Sequence, residues 1–120
     1  MRTANLNGAW GEQQAAKYLQ KKRYKIVAVN YSCRFGEIDI VAENKNFLVF
    51  AEVKLRKDDS HGAAREYVTA QKQERLRKTA MLYLQQNGCE KQPRFDVIEI
   101  YAPDGVQTKK PVINHLEDVF

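Results

Sequence analysis

Four side chains close together in the chain could do chemistry jointly: Glu37, Asp39, Glu52 and Lys54. They lie in two runs of strand-forming residues, Glu37–Ala42 and Phe47–Leu55, separated by the polar loop Glu43-Asn44-Lys45-Asn46. Strand side chains alternate between sheet faces. Ile38, Ile40, Ala42, Phe47, Val49, Ala51, Val53 and Leu55 therefore share one wholly apolar face. Glu37, Asp39, Glu52 and Lys54 share the other, beyond Val41, Leu48 and Phe50 near the turn. A turn centred between Asn44 and Lys45 pairs Asp39 with Phe50 and Glu37 with Glu52, leaving Asp39 and Glu52 diagonal neighbours. A slip of one residue would drive carboxylates into the apolar face, so the pattern resists it.

Carboxylates this close repel one another, and one would be pushed towards its protonated form. Lys54 offsets part of the repulsion, and a divalent cation would offset the rest. Asp39 and Glu52 could share one magnesium or manganese ion, which takes few carboxylates and keeps several waters. That arrangement activates a water and stabilises a phosphoryl oxyanion. Lys54, on the same face, would steady the negative transition state. The plainer alternative is a surface salt-bridge patch, worth about 0–1 kcal/mol.

Further elements must position this hairpin. A first helix is expected from about Gly8 to Lys22, capped by Asn5 or Asn7, with Ala9, Glu12, Ala16 and Leu19 along its inner face. Glu12 is the anomaly there, a carboxylate on an apolar stripe. Tyr24–Asn30 reads as a strand, Gly36 as a turn, and 57–64 as a loop. A long helix follows from about Glu66 to Gln86, with Val68, Leu76, Ala80, Tyr83 and Leu84 inward and Gly88 as its stop. Phe95–Tyr101 is a further strand, Pro103-Asp104-Gly105 a turn, and the last fifteen residues an edge element. The order αβββαβ implies one α/β domain over residues 1–120, a mixed central β-sheet flanked by helices, with a parallel crossover through the second helix.

The chain has 120 residues, a net charge of +5 and 29% charged residues. This suits one soluble domain and excludes general disorder. No apolar run is long enough to span a membrane, and the first residues lack an apolar signal, so a cytoplasmic location is expected. Cys33 and Cys89 exclude a disulfide scaffold and read as two reduced thiols. Residues 1–36 carry seven basic residues and one acid, Glu12, whereas 37–52 carry four acids and Lys45. The stretch 65–78 adds Arg65, Lys72, Arg75, Arg77 and Lys78. Basic flanks about an acidic centre suit a polyanion bound beside a cation; the alternative is a solvated basic surface.

Gly36-Glu37-Ile38-Asp39-Ile40-Val41-Ala42, followed by Leu48-Val49-Phe50-Ala51-Glu52-Val53-Lys54-Leu55-Arg56, resembles the Asp…Glu-x-Lys core of restriction-endonuclease-like nucleases. The nearest resemblance is to the bacterial YraN/UPF0102 family, itself similar to archaeal Holliday-junction resolvases. It covers nearly the whole chain: Gly8, Gly11-Glu12, Ala15-Ala16 and Tyr18-Leu19 in the first helix, then Asn30 and Arg34. It continues through Val68, Lys72, Arg75-Leu76, Ala80 and Tyr83-Leu84 in the second helix, and Arg94-Phe95-Asp96-Val97-Ile98 in the last core strand. The resemblance implies a restriction-endonuclease-like fold and an endonuclease dependent on Mg2+ or Mn2+ that hydrolyses DNA phosphodiester bonds in branched DNA. Asp39 and Glu52 would be metal ligands, Lys54 the catalytic lysine, and Glu12 a helix carboxylate completing the catalytic set. Glu37 would bind the metal through water, or brace Arg34 or Lys54.

Lys72 and Arg75, with Gln71 beside them, and Arg34 and Arg56 flanking the motif, would contact DNA; a solvated face is the alternative. Trp10 reads as a partly buried core aromatic, with base stacking the alternative. His61 lacks a second histidine at ligand spacing and takes no role. Resolvase-like enzymes act in pairs on symmetric junctions, so a homodimer is the implied state, and no membrane partner is expected. The rival readings are a non-catalytic nucleic-acid-binding module with an inherited nuclease fold, and an adaptor for another protein.

Overall fold

The computed structural model describes residues 6–57 and 69–120. The elements follow in the order α1 (Leu6–Lys21), β1 (Lys25–Cys33), β2 (Gly36–Glu43), β3 (Phe47–Arg56), α2 (Ala70–Asn87), β4 (Gln92–Tyr101) and β5 (Val112–Leu116). They build the expected mixed α/β sheet, in the order β1-β2-β3-β4-β5. Only β3 and β4 run parallel, and α2 forms the crossover between them. The expected edge element is β5, antiparallel to β4. The expected caps Asn5 and Asn7, the 58–64 part of the loop with His61, and Val68 lie outside the described residues and side chains.

Each helix covers one face. Ala15 and Leu19 of α1 pack on Ile40, Ala42, Val49, Ala51, Ile98 and Ile100, with Trp10 partly buried against the same cluster. Ala80 and Tyr83 of α2 pack on Val41, Leu48 and Phe50 on the other face. The inner stripe of α1 differs from the expected one. Gly11, Glu12, Ala15 and Leu19 are buried, Ala16 is half-buried and Ala9 is exposed. The stripe thus follows an i, i+4 ridge, because the helix meets the sheet along that row. Ile38 also departs from strict alternation and joins the α2-side cluster.

The helix α2 starts at Ala70, not Glu66, because Thr69 is extended and its side chain accepts the Lys72 N–H. At its far end Gly88 has φ 66° and its N–H returns to the Leu84 carbonyl, the expected stop. β4 begins at Gln92, ahead of the expected Phe95, with Pro93 near the strand start where a missing N–H is tolerated. An aromatic file crosses the α2 face through Tyr31, Tyr83, Phe50, Phe95 and Phe120, with successive ring centroids 5.2, 5.8, 5.6 and 4.8 Å apart.

Beneath α1 lies a buried charge network. Arg94 Nε and Nη2 donate to Asp96 at 2.9 and 2.8 Å, and Nη2 also donates to the Tyr24 hydroxyl at 2.7 Å. His115 Nε2 lies 2.6 Å from Asp96 Oδ2, and the Asp118 N–H donates to Oδ1 at 3.1 Å. Burial pushes the Asp96 carboxyl up. His115, Arg94 and the Asp118 N–H outweigh it and hold the group below its ordinary value. The paired state is thus fully stabilising above the unfolded carboxyl pKa of about 3.9, and the gain is lost as pH falls through the lower folded value. Asp96→Asn is expected to lower stability at neutral pH and to flatten its pH dependence below about pH 4 in acid-unfolding curves. Arg94→Met, which strands the buried Asp96 carboxylate, is expected to cost about 3–5 kcal/mol in denaturant unfolding.

Candidate active site

The β2–β3 turn is centred one residue later than the sequence suggests. Asn44 N–H donates to the Phe47 carbonyl, and the Asn44 side chain accepts from the Asn46 and Phe47 N–H groups. The ladder therefore pairs Glu43 with Leu48 and Val41 with Phe50. The expected pairing of Asp39 with Phe50 and of Glu37 with Glu52 is corrected by two residues. An even shift leaves every face assignment based on alternation unchanged, so apolar patterning could not detect it.

The corrected register has a chemical consequence. The ladder ends at Ile40–Ala51 although both strands continue. One step further, Asp39 is level with Glu52 instead of diagonal to it. Here Asp39 Oδ2 accepts the Val53 N–H at 2.8 Å, so a carboxylate takes a place a backbone carbonyl would hold in a continuous ladder. Beyond this point β3 keeps its parallel pairing with β4 through Arg56 and Tyr101.

Lys54 Nζ lies 3.1 Å from Glu52 Oε1, and Lys72 of α2 bonds to the same oxygen. Glu52 Oε2 is buried and, among the described residues, has no hydrogen-bond partner. Burial pushes the Lys72 ammonium down in pKa. The hydrogen bond and charge of Glu52, with Lys54 and the charge of Asp39, outweigh this and raise it. That contribution to stability is present below the ordinary lysine value of 10.5 and is lost as pH rises through the raised folded value.

The other predicted residues are more dispersed. Glu12 is buried on α1, beside Gly11, whose ideal Cβ would lie 3.8 and 3.9 Å from Val53 and Leu55 on the opposite sheet face. Among the described residues no group of three His, Cys, Asp or Glu side chains is placed to hold a metal. Glu37 accepts from Ser32 Oγ at 3.1 Å. It borders a cleft of about 260 Å³ with Lys72 and Arg75. Arg75 is exposed there, and Arg34 is exposed against the Phe35 ring. Arg56 is half-buried, with Nε 3.9 Å from the fully buried Glu99, whose Oε1 accepts from Asn114 at 2.8 Å.

Sequence reasoning assigned Lys72 to DNA and missed its bond to Glu52, which depends on where α2 crosses the sheet. It also placed Arg94 and Asp96 in the last core strand without pairing them. Their signal was two charges at the parity of Ile98 and Ile100 on a core strand.

Asp39 and Glu52 offer hard carboxylate oxygens of the kind magnesium and manganese take. The two stand level at the strand opening, and one buried oxygen has no hydrogen-bond partner among the described residues. An ion held by two protein carboxylates keeps much of its water, as magnesium does.

A mixed sheet between two helices, with an acid–lysine cluster where two strands part, defines an α/β protein with a charged site at the sheet opening. The chain belongs to the family described as Uncharacterised protein family UPF0102, whose model matches residues 11–100. A UPF0102 protein of Caldanaerobacter subterraneus subsp. tengcongensis is 42% identical over 115 residues, covering 94% of this chain and 93% of that protein. One of Syntrophomonas wolfei is 42% identical over 119 residues, covering 94% and 96%. One of Symbiobacterium thermophilum is 48% identical over 100 residues, covering 82% and 85%.

Because Glu52 is what raises Lys72 against its burial, Glu52→Gln is expected to lower the Lys72 ammonium pKa. A lysine-resolved NMR titration reads this directly, and an unchanged titration would contradict the assigned electrostatics.

Proposed function

We propose that this protein is a metal-dependent endonuclease that hydrolyses DNA phosphodiester bonds, with branched DNA as its substrate. The observation that carries the reading is the Asp39–Glu52 pair at the parting of β2 and β3, with Glu52 Oε2 buried and without a hydrogen-bond partner among the described residues. Asp39 and Glu52 would hold Mg2+ or Mn2+. When bound, such an ion makes water a better nucleophile and stabilises charge on a phosphoryl oxygen.

The chain's own residues supply the rest. Asp39 is oriented by the Val53 N–H, so its carboxylate needs little reorganisation. Lys54 would turn its ammonium towards the charge that develops on the phosphate. Lys72 would exchange Glu52 for a substrate phosphate, leaving Glu52 as one of the two carboxylates that would hold the ion. Arg75 and Arg34 border the approach and would neutralise flanking phosphates, contacts that position a backbone without reading bases. Glu12 would act from the neighbouring helix, and Arg56 would contact the backbone after release from Glu99. On this reading two copies pair on a symmetric junction, in the cytoplasm. Among the described residues no helix is long and apolar enough to cross a membrane.

One observation favours a second reading. Lys54 and Lys72 both pair with Glu52, as in a purely structural cluster. A non-catalytic DNA-binding module would keep that arrangement and show salt-dependent binding without turnover.

Calorimetric titration with magnesium and manganese, followed by incubation with branched DNA, separates the two. Asp39→Asn is expected to weaken metal binding while keeping the Val53 hydrogen bond and the fold. Lys54→Ala is expected to reduce cleavage by about 100-fold or more with unchanged circular dichroism. Cleavage retained in both variants would remove the assignment. DNA binding without cleavage by the wild type would favour the second reading.

A further inference from the structure

The cleft beside Glu37 and Lys72 continues along α2. Its walls are the β1–β2 turn at Gly36 and the α2 face carrying Lys72, Arg75 and Thr79. The same turn and the same helix wall a second groove of about 430 Å³, lined by Arg34, Phe35, Lys78, Met81, Leu82 and Gln85. From Lys72 to Gln85 the helix rises about 20 Å. Cleft and groove thus form one track leading from the acid–lysine cluster to the far half of α2.

The chemistry of the outer groove differs from that of the site. Among the described residues its lining includes two cations and no acid. Its floor is apolar, and Met81 is 60% exposed. The Arg34 guanidinium lies 4.8 Å, and the Lys78 ammonium 5.9 Å, from the centroid of the Phe35 ring. Among the described residues the acid paired with these cations is Glu74, 3.3 Å from Lys78 in a largely exposed pair, which a phosphate can displace. Gly36 sets the close turn that brings Phe35 to the helix. Its φ of 154° disfavours a side chain, and an added Cβ would lie 3.4 Å from Thr79 Oγ1.

An apolar floor with an aromatic ring, flanked by cations and free of acids, matches an unpaired nucleic-acid strand. Bases need a surface to stack on, and the phosphates beside them need positive charge. A duplex hides its base faces and would use the cations alone. We propose that the groove formed by Arg34, Phe35, Lys78, Met81 and Leu82 binds single-stranded DNA and receives an unpaired strand continuing from the Asp39–Glu52 site. The proposal deepens the nuclease reading and rests on it for that direction of travel, but binding in the groove needs no catalysis.

The test measures fluorescence anisotropy of a labelled oligo-dT strand and a blunt duplex in EDTA, where no cleavage can occur. Met81→Glu and the double variant Arg34→Glu/Lys78→Glu change exposed side chains and should leave the fold intact. Each is expected to weaken oligo-dT binding about tenfold or more, with Met81→Glu affecting the duplex much less. The double variant should also lower the salt dependence of oligo-dT binding by about 1.4, from about 0.7 per lost phosphate contact. Phe35→Leu keeps an apolar floor and should weaken oligo-dT several-fold through loss of the ring. Wild-type-like oligo-dT binding by Met81→Glu, or equal losses for strand and duplex in every variant, would overturn the proposal. Groove-dependent binding by a wild type that cleaves nothing would uphold the groove and reject the nuclease reading. Metal-dependent cleavage with oligo-dT binding indifferent to all three variants would reject the groove alone.

Discussion

The hydrogen bond from the Val53 N–H to Asp39 Oδ2 is the constraint on which the site depends. A strand that leaves its neighbour exposes backbone donors, and a buried donor must find a partner. Asp39 supplies that partner from its side chain. β2 can then part from β3 without orphaning the Val53 amide, while β3 stays anchored to β4 along its whole length. The carboxylate that satisfies the backbone is also the one held level with Glu52, so the opening and the acid pair have a single origin.

The two faces of the sheet treat buried charge differently. On the α1 side, the Asp96 oxygens are engaged by Arg94, His115 and a backbone N–H, and the guanidinium also reaches Tyr24. Such a saturated network locks β4 and β5 to Tyr24 in the link after α1 and leaves nothing to bind. On the α2 side, Glu52 has one oxygen crowded by two ammoniums and another with no hydrogen-bond partner among the described residues. Uneven satisfaction separates a candidate site from an anchor, although both are built from carboxylates and cations.

The helix α2 links the site to the surface beyond it. Its sheet-facing row carries Ala80 and Tyr83 into the core, and its first turn brings Lys72 to Glu52. A neighbouring row passes Arg75, Lys78 and Leu82 along the track to Phe35. Thr69 fixes where the helix begins and hence which residue meets the carboxylates. The UPF0102 match over residues 11–100 includes Glu12, the acid–lysine cluster and the whole track, but not β5 or Phe120.

Much was legible in the residues themselves. Alternation placed Glu37, Asp39, Glu52 and Lys54 on one face, the polar tetrad marked the hairpin, and Gly88 marked the end of α2. These signals are local: a period of two, a loop composition, a backbone position suited to glycine. The exact pairing was not legible, because a shift of two residues preserves every face and changes only which carboxylate meets which. The bond from Lys72 to Glu52 was not legible either, since it joins elements whose crossing is set by packing. Nor was the joining of Asp96 to His115, nineteen residues apart in sequence. The sequence alone determined which residues could form an acid–lysine face. Only tertiary structure decided that Asp39 stands level with Glu52, that a helix lysine closes on Glu52, and that one carboxylate oxygen keeps no hydrogen-bond partner among the described residues, because those outcomes depend on distances that no periodicity encodes.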